Sequence, residues 1–553
     1  MTTQVKLHIA NGQVFDVFNQ CFEQTDLWID GDSIFYRGKS DDLTAETTFD
    51  AIGKFIVPGL IDAHMHVESS YLVPSQLGAV LAQHGVTRIF ADPHEIANVA
   101  GVAGIQFMID DARQSPIHIH YMLPSSVPAA SFEHNGATLT ASDLKPFYSE
   151  PEIAGLAEVM DFPAVANANP DMLAKINDAI QAGKHADGHG AGLTREQLAV
   201  YRRVGIDTDH EATNQDEALD RLAAGMHVLI REGTVERDEK EVLKAVNPSN
   251  SRQFSFCTDD KTVHDLLSEG SIDLSLNLAL QNGLSFPAAL TMATYNAAIA
   301  HRLENVGALT DGYVADLVIL DSDENFHASQ TMVAGEWFNP IKNDVAVAFP
   351  ATPLNFTLAA TDLVLPLKSD QAHVIQVIPH HITTEHQITT VPVNDAGKFV
   401  PDEKFNKITV IERYHDLGNS TAIISGIGLR EGAIGTTISH DSHNIMLVGV
   451  DDAAMLKVAE TLKEMHGGLV VVDGTGNVTK VALPIGGLIT NKPYALADQD
   501  IETLQKAFQQ ISDIEFDPFL TLSFMALPVI PSLKITDQGL FDFDKFDFID
   551  INA

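Results

Sequence analysis

The sequence predicts an α/β protein: a (β/α)8, TIM-like barrel, a small composite β-sandwich domain beside it, and an additional C-terminal α/β domain. Three observations predict it. Eight short apolar runs between Phe55 and Asp260 each end in polar residues, and most lead into Ala- and Leu-rich stretches of helical spacing. Strand-like segments precede these runs and return after them. From about Val345 a further two hundred or so residues mix strand and helix patterns, and a chain of 553 residues is too long for one ordinary core.

In order along the chain, residues 1–54 read as short strands, LHIANGQVFDVF and DLWIDGDSIFYRG, with apolar alternation around Asn-Gly and Asp-Gly turns. Residues 55–304 hold the barrel runs FIVPGLIDAHMHVE, VTRIFADPHE, IHIHYMLPSS, IAGLAEVMD, HADGHG, GIDTDHE, MHVLIREG and FSFCTDD, then the helical segment SFPAALTMATYNAAIAHRLE. Residues 305–344 return to β with VGALTDGYVADLVILDS and SQTMVAGEWF, which would complete the sheet begun at residues 1–54. Residues 345–553 include the strand GLVVVDG and a helix around AAMLKVAETLKEM, a separate α/β domain. No repeat of fixed period and no low-complexity tract occurs.

Composition narrows the function. An apolar fraction of 45% supplies a core, and no window reaches the ~18 apolar residues of a membrane span. The start MTTQVKLHIANG lacks the pattern of a secretory signal, so the protein is expected to be cytoplasmic. A formal charge of −41 disfavours a nucleic-acid groove but says nothing about a small neutral substrate. The two cysteines, Cys21 and Cys257, offer no disulfide framework and no Cys-x-x-Cys pair, and are expected to be reduced.

The chemistry lies at the ends of the runs. His64 and His66 stand two apart, so strand geometry sends both imidazoles to one face. A lone His-x-His is more often a hydrogen-bonded strand pair than a metal site. Here His189, His210 and Asp259 end three further runs at the same rim, and such a group is costly to bury without a cation. Glu158 ends the fourth run, where it is either a bridge between two ions or a strand-end salt bridge.

VPGLIDAHMHVESS, the His-bearing fifth and sixth strands and the TDD strand resemble the amidohydrolase superfamily. More specifically, HMHVESS, ADPHEIANV, ADGHGAGL, DHEAT, LIREG and CTDDK, with SHDSHNI, LPIGGL and LTLSFMALPVIPSLKIT in the last domain, are similar to the bacterial adenine deaminase family, along nearly the whole chain. The resemblance implies His64, His66 and Asp259 on one divalent ion, His189 and His210 on a second, and Glu158 bridging them where many relatives of the superfamily use a carboxylated lysine. It implies two ions, manganese or iron(II), with zinc as the remaining candidate. The implied reaction is hydrolytic deamination of adenine to hypoxanthine and ammonia by a metal-activated hydroxide, in purine salvage, with Asp259 shuttling a proton.

Of the adjoining Asp259 and Asp260, the first is expected to be the ligand, because it lies closer to the strand end. Glu68, His94, Glu95, Glu211 and Glu232 are the candidates for protonating the purine, and Arg231, His440 and His443 for binding it; His94 could instead hold an extra metal or orient Glu68. Each of these could equally be a solvated or salt-bridged rim residue. Ser69 and Ser70 read as turn or capping residues, and His380, His381 and His386 as surface. The partner expected is the small-molecule substrate, with no nucleic acid and no membrane, in a homodimer. The rival readings are another amidohydrolase acting on a cyclic amide or a different amino-heterocycle, and a non-catalytic barrel assembly protein, which lost ligands would mark.

Overall fold

The computed structural model describes residues 3–340, 349, 352 and 354–553. The expected boundary between residues 344 and 345 lies outside the described residues.

Strands Thr3–Asp16, Cys21–Asp30, Ser33–Arg37, Leu43–Asp50 and Phe55–Pro58 join Leu317–Leu320, Ala328–Val333 and Glu336–Trp337 in one eight-stranded sheet with its own core around Ile9, Ile29, Ile56 and Leu317. Two details differ from the sequence reading. The strand runs straight through Asn11-Gly12, where a turn was expected: Asn11 takes φ 64° and the register slips between Ile9 and Gly12, a bulge rather than a reversal. Asn tolerates the left-handed region, and the flanking residues on both sides find the same partner strand. The first apolar run also divides, Phe55–Pro58 pairing in this sheet and Leu60–Met65 opening the barrel.

The barrel strands are Leu60–Met65, Val86–Ala91, His118–Leu123, Ile153–Val159, His185–Gly188, Ile206–Asp209, His227–Arg231 and Phe254–Cys257, hydrogen-bonded in sequence order. Each coincides with one of the eight runs. The ring closes where Met65 pairs in parallel with Asp259, with Asp259 N–H donating to His64 O at 3.0 Å and His66 N–H to Asp259 O at 3.1 Å. Local sequence sets the helices between strands. Arg195–Val204, for example, begins on a Thr194–Gln197 capping box and stops at Gly205, whose φ of 100° a side chain would resist.

The C-terminal domain is an eight-stranded, mainly antiparallel sheet packed with helix Asp452–Glu464, followed by helix Tyr494–Ile511 and a three-stranded sheet from Leu533 to Ile549. It sits on the barrel mouth. Thr490 N–H donates to Tyr71 O at 2.8 Å, Asn444 Nδ2 donates to His134 O at 2.8 Å, and one apolar cluster runs from Val67 and Ile96 of the barrel to Leu488, Leu520 and Met525. Among the described residues no helix is long and apolar enough to cross a membrane.

Candidate functional site

The strand ends bring together all six expected ligand residues. His64 and His66 leave the first strand on one face, and the His64 ring stacks on His210 with centroids 3.9 Å apart. Asp259 follows the eighth strand at φ 56°, a strained conformation for a non-glycine residue, held by the two backbone bonds of the ring closure.

The donor atoms form two groups that share one carboxylate. His64 Nε2 and His66 Nε2 are 3.3 Å apart, and Asp259 Oδ1 lies 3.5 and 3.1 Å from them. On the other side His189 Nδ1 and His210 Nε2 lie 2.7 and 3.3 Å from Glu158 Oε2. The second oxygen, Glu158 Oε1, is buried 3.4 Å from His66 Nε2 and 3.1 Å from His94 Nδ1, without hydrogen-bond geometry to either. Ligands at ~2.1 Å from a tetrahedral ion are about 3.4 Å apart, which the His64, His66 and Asp259 donors and the His210–Glu158 pair match, while His189 hydrogen-bonds Glu158 at 2.7 Å. The orphaned Glu158 oxygen and the two facing imidazole nitrogens fit such ions better than they fit hydrogen bonding alone.

Groups behind these donors hold them in place. His66 Nδ1–H donates to Asp92 O at 3.2 Å, which turns Nε2 into the site. Asp187 Oδ2 lies 3.3 Å from His64 Nδ1 and 3.5 Å from His210 Nδ1, so one carboxylate orients two imidazoles. Arg231 pairs with Glu211 and, at 2.9 Å, with Asp259 Oδ2. Burial raises the Glu158 carboxyl, but His189, His210 and His94 outweigh it and hold the group well below the usual range. Asp259 is held low in the same way, burial being outweighed by His64, His66, His210 and Arg231.

The other candidates separate by position. Glu211 and Arg231 reach the cluster and line the same small pocket as His94 and His440. Glu232 does not. Strand alternation turns it away from Arg231, its carboxylate faces Lys261 and Arg237, and burial raises it to about 7. Glu68 and Glu95 stand close to each other behind His66. Glu68 Oε1 accepts from Ile96 N–H at 3.1 Å, so the backbone and not His94 orients it. His443 is fully buried and faces Glu95 at 3.9 Å rather than the pocket. Asp260 takes the hydroxyl of Ser69, which is therefore a site residue and not only a turn residue; Ser70 donates to Val67 O at 2.6 Å, as a turn residue does. His380 and His381 are exposed, but His386 is half-buried, 2.6 Å from His373 Nδ1.

Sequence reasoning missed Asp92, Asp187 and Glu236, whereas Asp441 lies in the segment 440–444 that was expected to close over the barrel mouth. Glu236 returns to the mouth through a tight turn in which Gly233 N–H donates to Glu236 O at 2.8 Å and Glu232 bridges Arg237. The turn needs glycine: a Cβ at Gly233 would meet Asp260 O at 2.7 Å. Glu236 Oε2 is buried without a partner in the pocket lining, and burial keeps the carboxyl protonated well above its ordinary range despite Arg231.

Residues 55–339 match the amidohydrolase family and residues 381–547 the adenine deaminase C-terminal domain. The chain is 59% identical to the adenine deaminase of Leuconostoc mesenteroides over 554 residues, covering 100% of both chains. It is likewise 59% identical to adenine deaminase 1 of Oenococcus oeni, again covering 100% of both. It is 47% identical to the adenine deaminase of Lactiplantibacillus plantarum over 100% of this chain and 98% of that one. With full-length identity at this level and both of its parts matched, the chain belongs to the adenine deaminase family of amidohydrolases.

Proposed function

We propose that the chain hydrolyses adenine to hypoxanthine and ammonia at two divalent ions, manganese or iron(II). His64, His66 and Asp259 would hold one ion and His189 and His210 the other, with Glu158 between them. The observation that carries this reading is the division of Glu158, one oxygen facing His66 and His94 and the other facing His189 and His210. Bound there, such ions supply Lewis acidity and bring the pKa of water near 7, which makes it a nucleophile at neutral pH.

The chain's own groups do the rest. Water adds at C6, the C6–amino bond breaks, and the amino group leaves as ammonia, so one water is consumed per adenine. Two protons must reach the purine or its leaving group. Asp259 accepts the first from the attacking water: Oδ1 faces the donors, and Arg231 on Oδ2 fixes the carboxylate and stabilises its charge. Glu236 is a neutral acid with a free oxygen in the pocket, suited to donate to a ring nitrogen or to read the purine edge. Met160, Ile382, Phe524 and Leu527 line the same pocket and offer apolar surface to a flat heterocycle.

The test is product release by manganese-loaded protein offered adenine, adenosine and cytosine separately. Hypoxanthine and ammonia in equal amounts from adenine alone is the expected result. No release from adenine overturns the reading, and release from another heterocycle reassigns the substrate.

A further inference from the structure

A second cluster of donors lies outside the six residues of the barrel centre and is built jointly by the barrel and the C-terminal domain. His94 Nε2 and His440 Nδ1 lie 3.5 and 3.7 Å from one oxygen, Asp441 Oδ1. All three residues are buried, and their ligand atoms lie within 4.8 Å of one another. We infer that His94, His440 and Asp441 form a third divalent-cation site that ties the C-terminal domain to the barrel mouth.

The orientation of His94 is the first argument. Its Nδ1 lies 2.9 Å from Asp92 Oδ2 and 3.1 Å from Glu158 Oε1, while its Nε2, on the other edge of the ring, faces a further carboxylate, Asp441. A carboxylate behind an imidazole whose other nitrogen points at further donors is the arrangement that surrounds metal-bound histidines. A plain ion pair does not account for the far side. The separations of 3.5 and 3.7 Å are longer than ordinary hydrogen bonds, and of the facing donor atoms His94 Nε2 is buried without a partner, as is the other oxygen of Asp441. They do match the roughly 3.4 Å between donors on one tetrahedral ion.

The second argument is rigidity. The His440 ring stacks on Phe524, with centroids 4.6 Å apart and 9° between planes, and the backbone N–H of His440 donates to Ser523 O at 3.0 Å. Tyr414 OH donates to Ser442 O at 2.7 Å on the other side of Asp441. The donors are therefore fixed in place rather than on a mobile loop. Two imidazoles and one carboxylate suit a first-row divalent ion and leave a coordination position open. The site is one imidazole away from the barrel centre, because His94 Nδ1 also lies 3.1 Å from Glu158 Oε1.

The experiment is anomalous diffraction at the manganese edge on crystals of the manganese-loaded full chain, together with metal counts on the wild type and on Asp441→Asn and His440→Ala. The expected map has a peak among His94, His440 and Asp441, separate from the density around Glu158. Each variant is expected to hold one equivalent less than the wild type, with an unchanged circular dichroism spectrum. A map with ions around Glu158 but none at Asp441 overturns the inference, as does an unchanged count in the near-isosteric Asp441→Asn. A map without ions anywhere overturns both this inference and the binuclear reading.

Discussion

The two ends of the barrel carry buried and part-buried histidines whose proton affinities are pushed in opposite directions. At the mouth, burial and neighbouring imidazoles press His64, His66, His94, His189 and His210 towards neutrality, yet the surrounding carboxylates win and raise all five. Lower in the barrel, burial prevails. His120, beside Arg88, and His185 and His301 are pushed below the ordinary range, and His227 falls to about 3. These four bind neutral groups or a cation: His227 Nε2 is 2.8 Å from Ser255 Oγ, and His301 Nε2–H donates to Ala63 O at 2.8 Å. Burial alone therefore does not mark a functional histidine. A field of carboxylates that raises proton affinity also attracts metal ions, and of these two sets of histidines it is the mouth set that sits in such a field.

The largest expected effects break the mouth. His64→Ala or Asp259→Ala should lower turnover of adenine at least about a thousandfold while leaving the circular dichroism spectrum intact; normal turnover in either variant would remove that residue from the centre. Glu158→Gln should cost one barrel ion, read by metal analysis, and most of the activity. Full occupancy at full activity would take Glu158 out of the bridge.

Smaller effects sharpen the contrast. Glu236→Ala should lower kcat/KM roughly tenfold to a hundredfold with its metal count unchanged, the size expected for one hydrogen bond to substrate in a dry pocket. Glu232→Gln should keep both kcat and metal. Because the folded pKa of Glu232 is raised from 4.5 to about 7, its contribution to stability is fully present below pH 4.5 and is lost as pH rises through 7. The variant should therefore gain on the wild type between those limits, by on the order of 2 to 3 kcal/mol in denaturant titrations, and the difference should level off above them. At the smallest scale, His227→Gln at the lower end should cost only about 1 kcal/mol of stability and leave turnover unchanged.

The sequence made the mouth legible because each ligand ends an apolar run, where periodicity and chemistry coincide. The eight strands follow from that rule and the six expected donors stand at their ends, but the division of those donors between two ions, with Glu158 as bridge, came from the family resemblance. What it left out depends on geometry that spacing does not carry. Asp187 lies on the fifth barrel strand two residues before His189, which follows the strand end, so period-2 spacing was the available signal. Glu236 reaches the pocket only because Gly233 allows a turn, whereas Glu232, adjacent to Arg231, falls on the opposite face of its strand. Asp441 meets His94 across nearly 350 residues of chain, a contact that no local pattern announces. The Asn11 bulge has the composition of a turn, and only pairing with the neighbouring strand distinguishes the two.

The contrast between the two ends is a field of carboxylates at the mouth that is suited to cations, so the most direct test of the proposed ions is adenine turnover by one preparation before and after metal removal. The account predicts that chelated protein keeps its circular dichroism spectrum, loses deamination, and recovers it when manganese(II) is added back, with no recovery in Asp259→Ala. Undiminished ammonia release from the metal-free protein would contradict it.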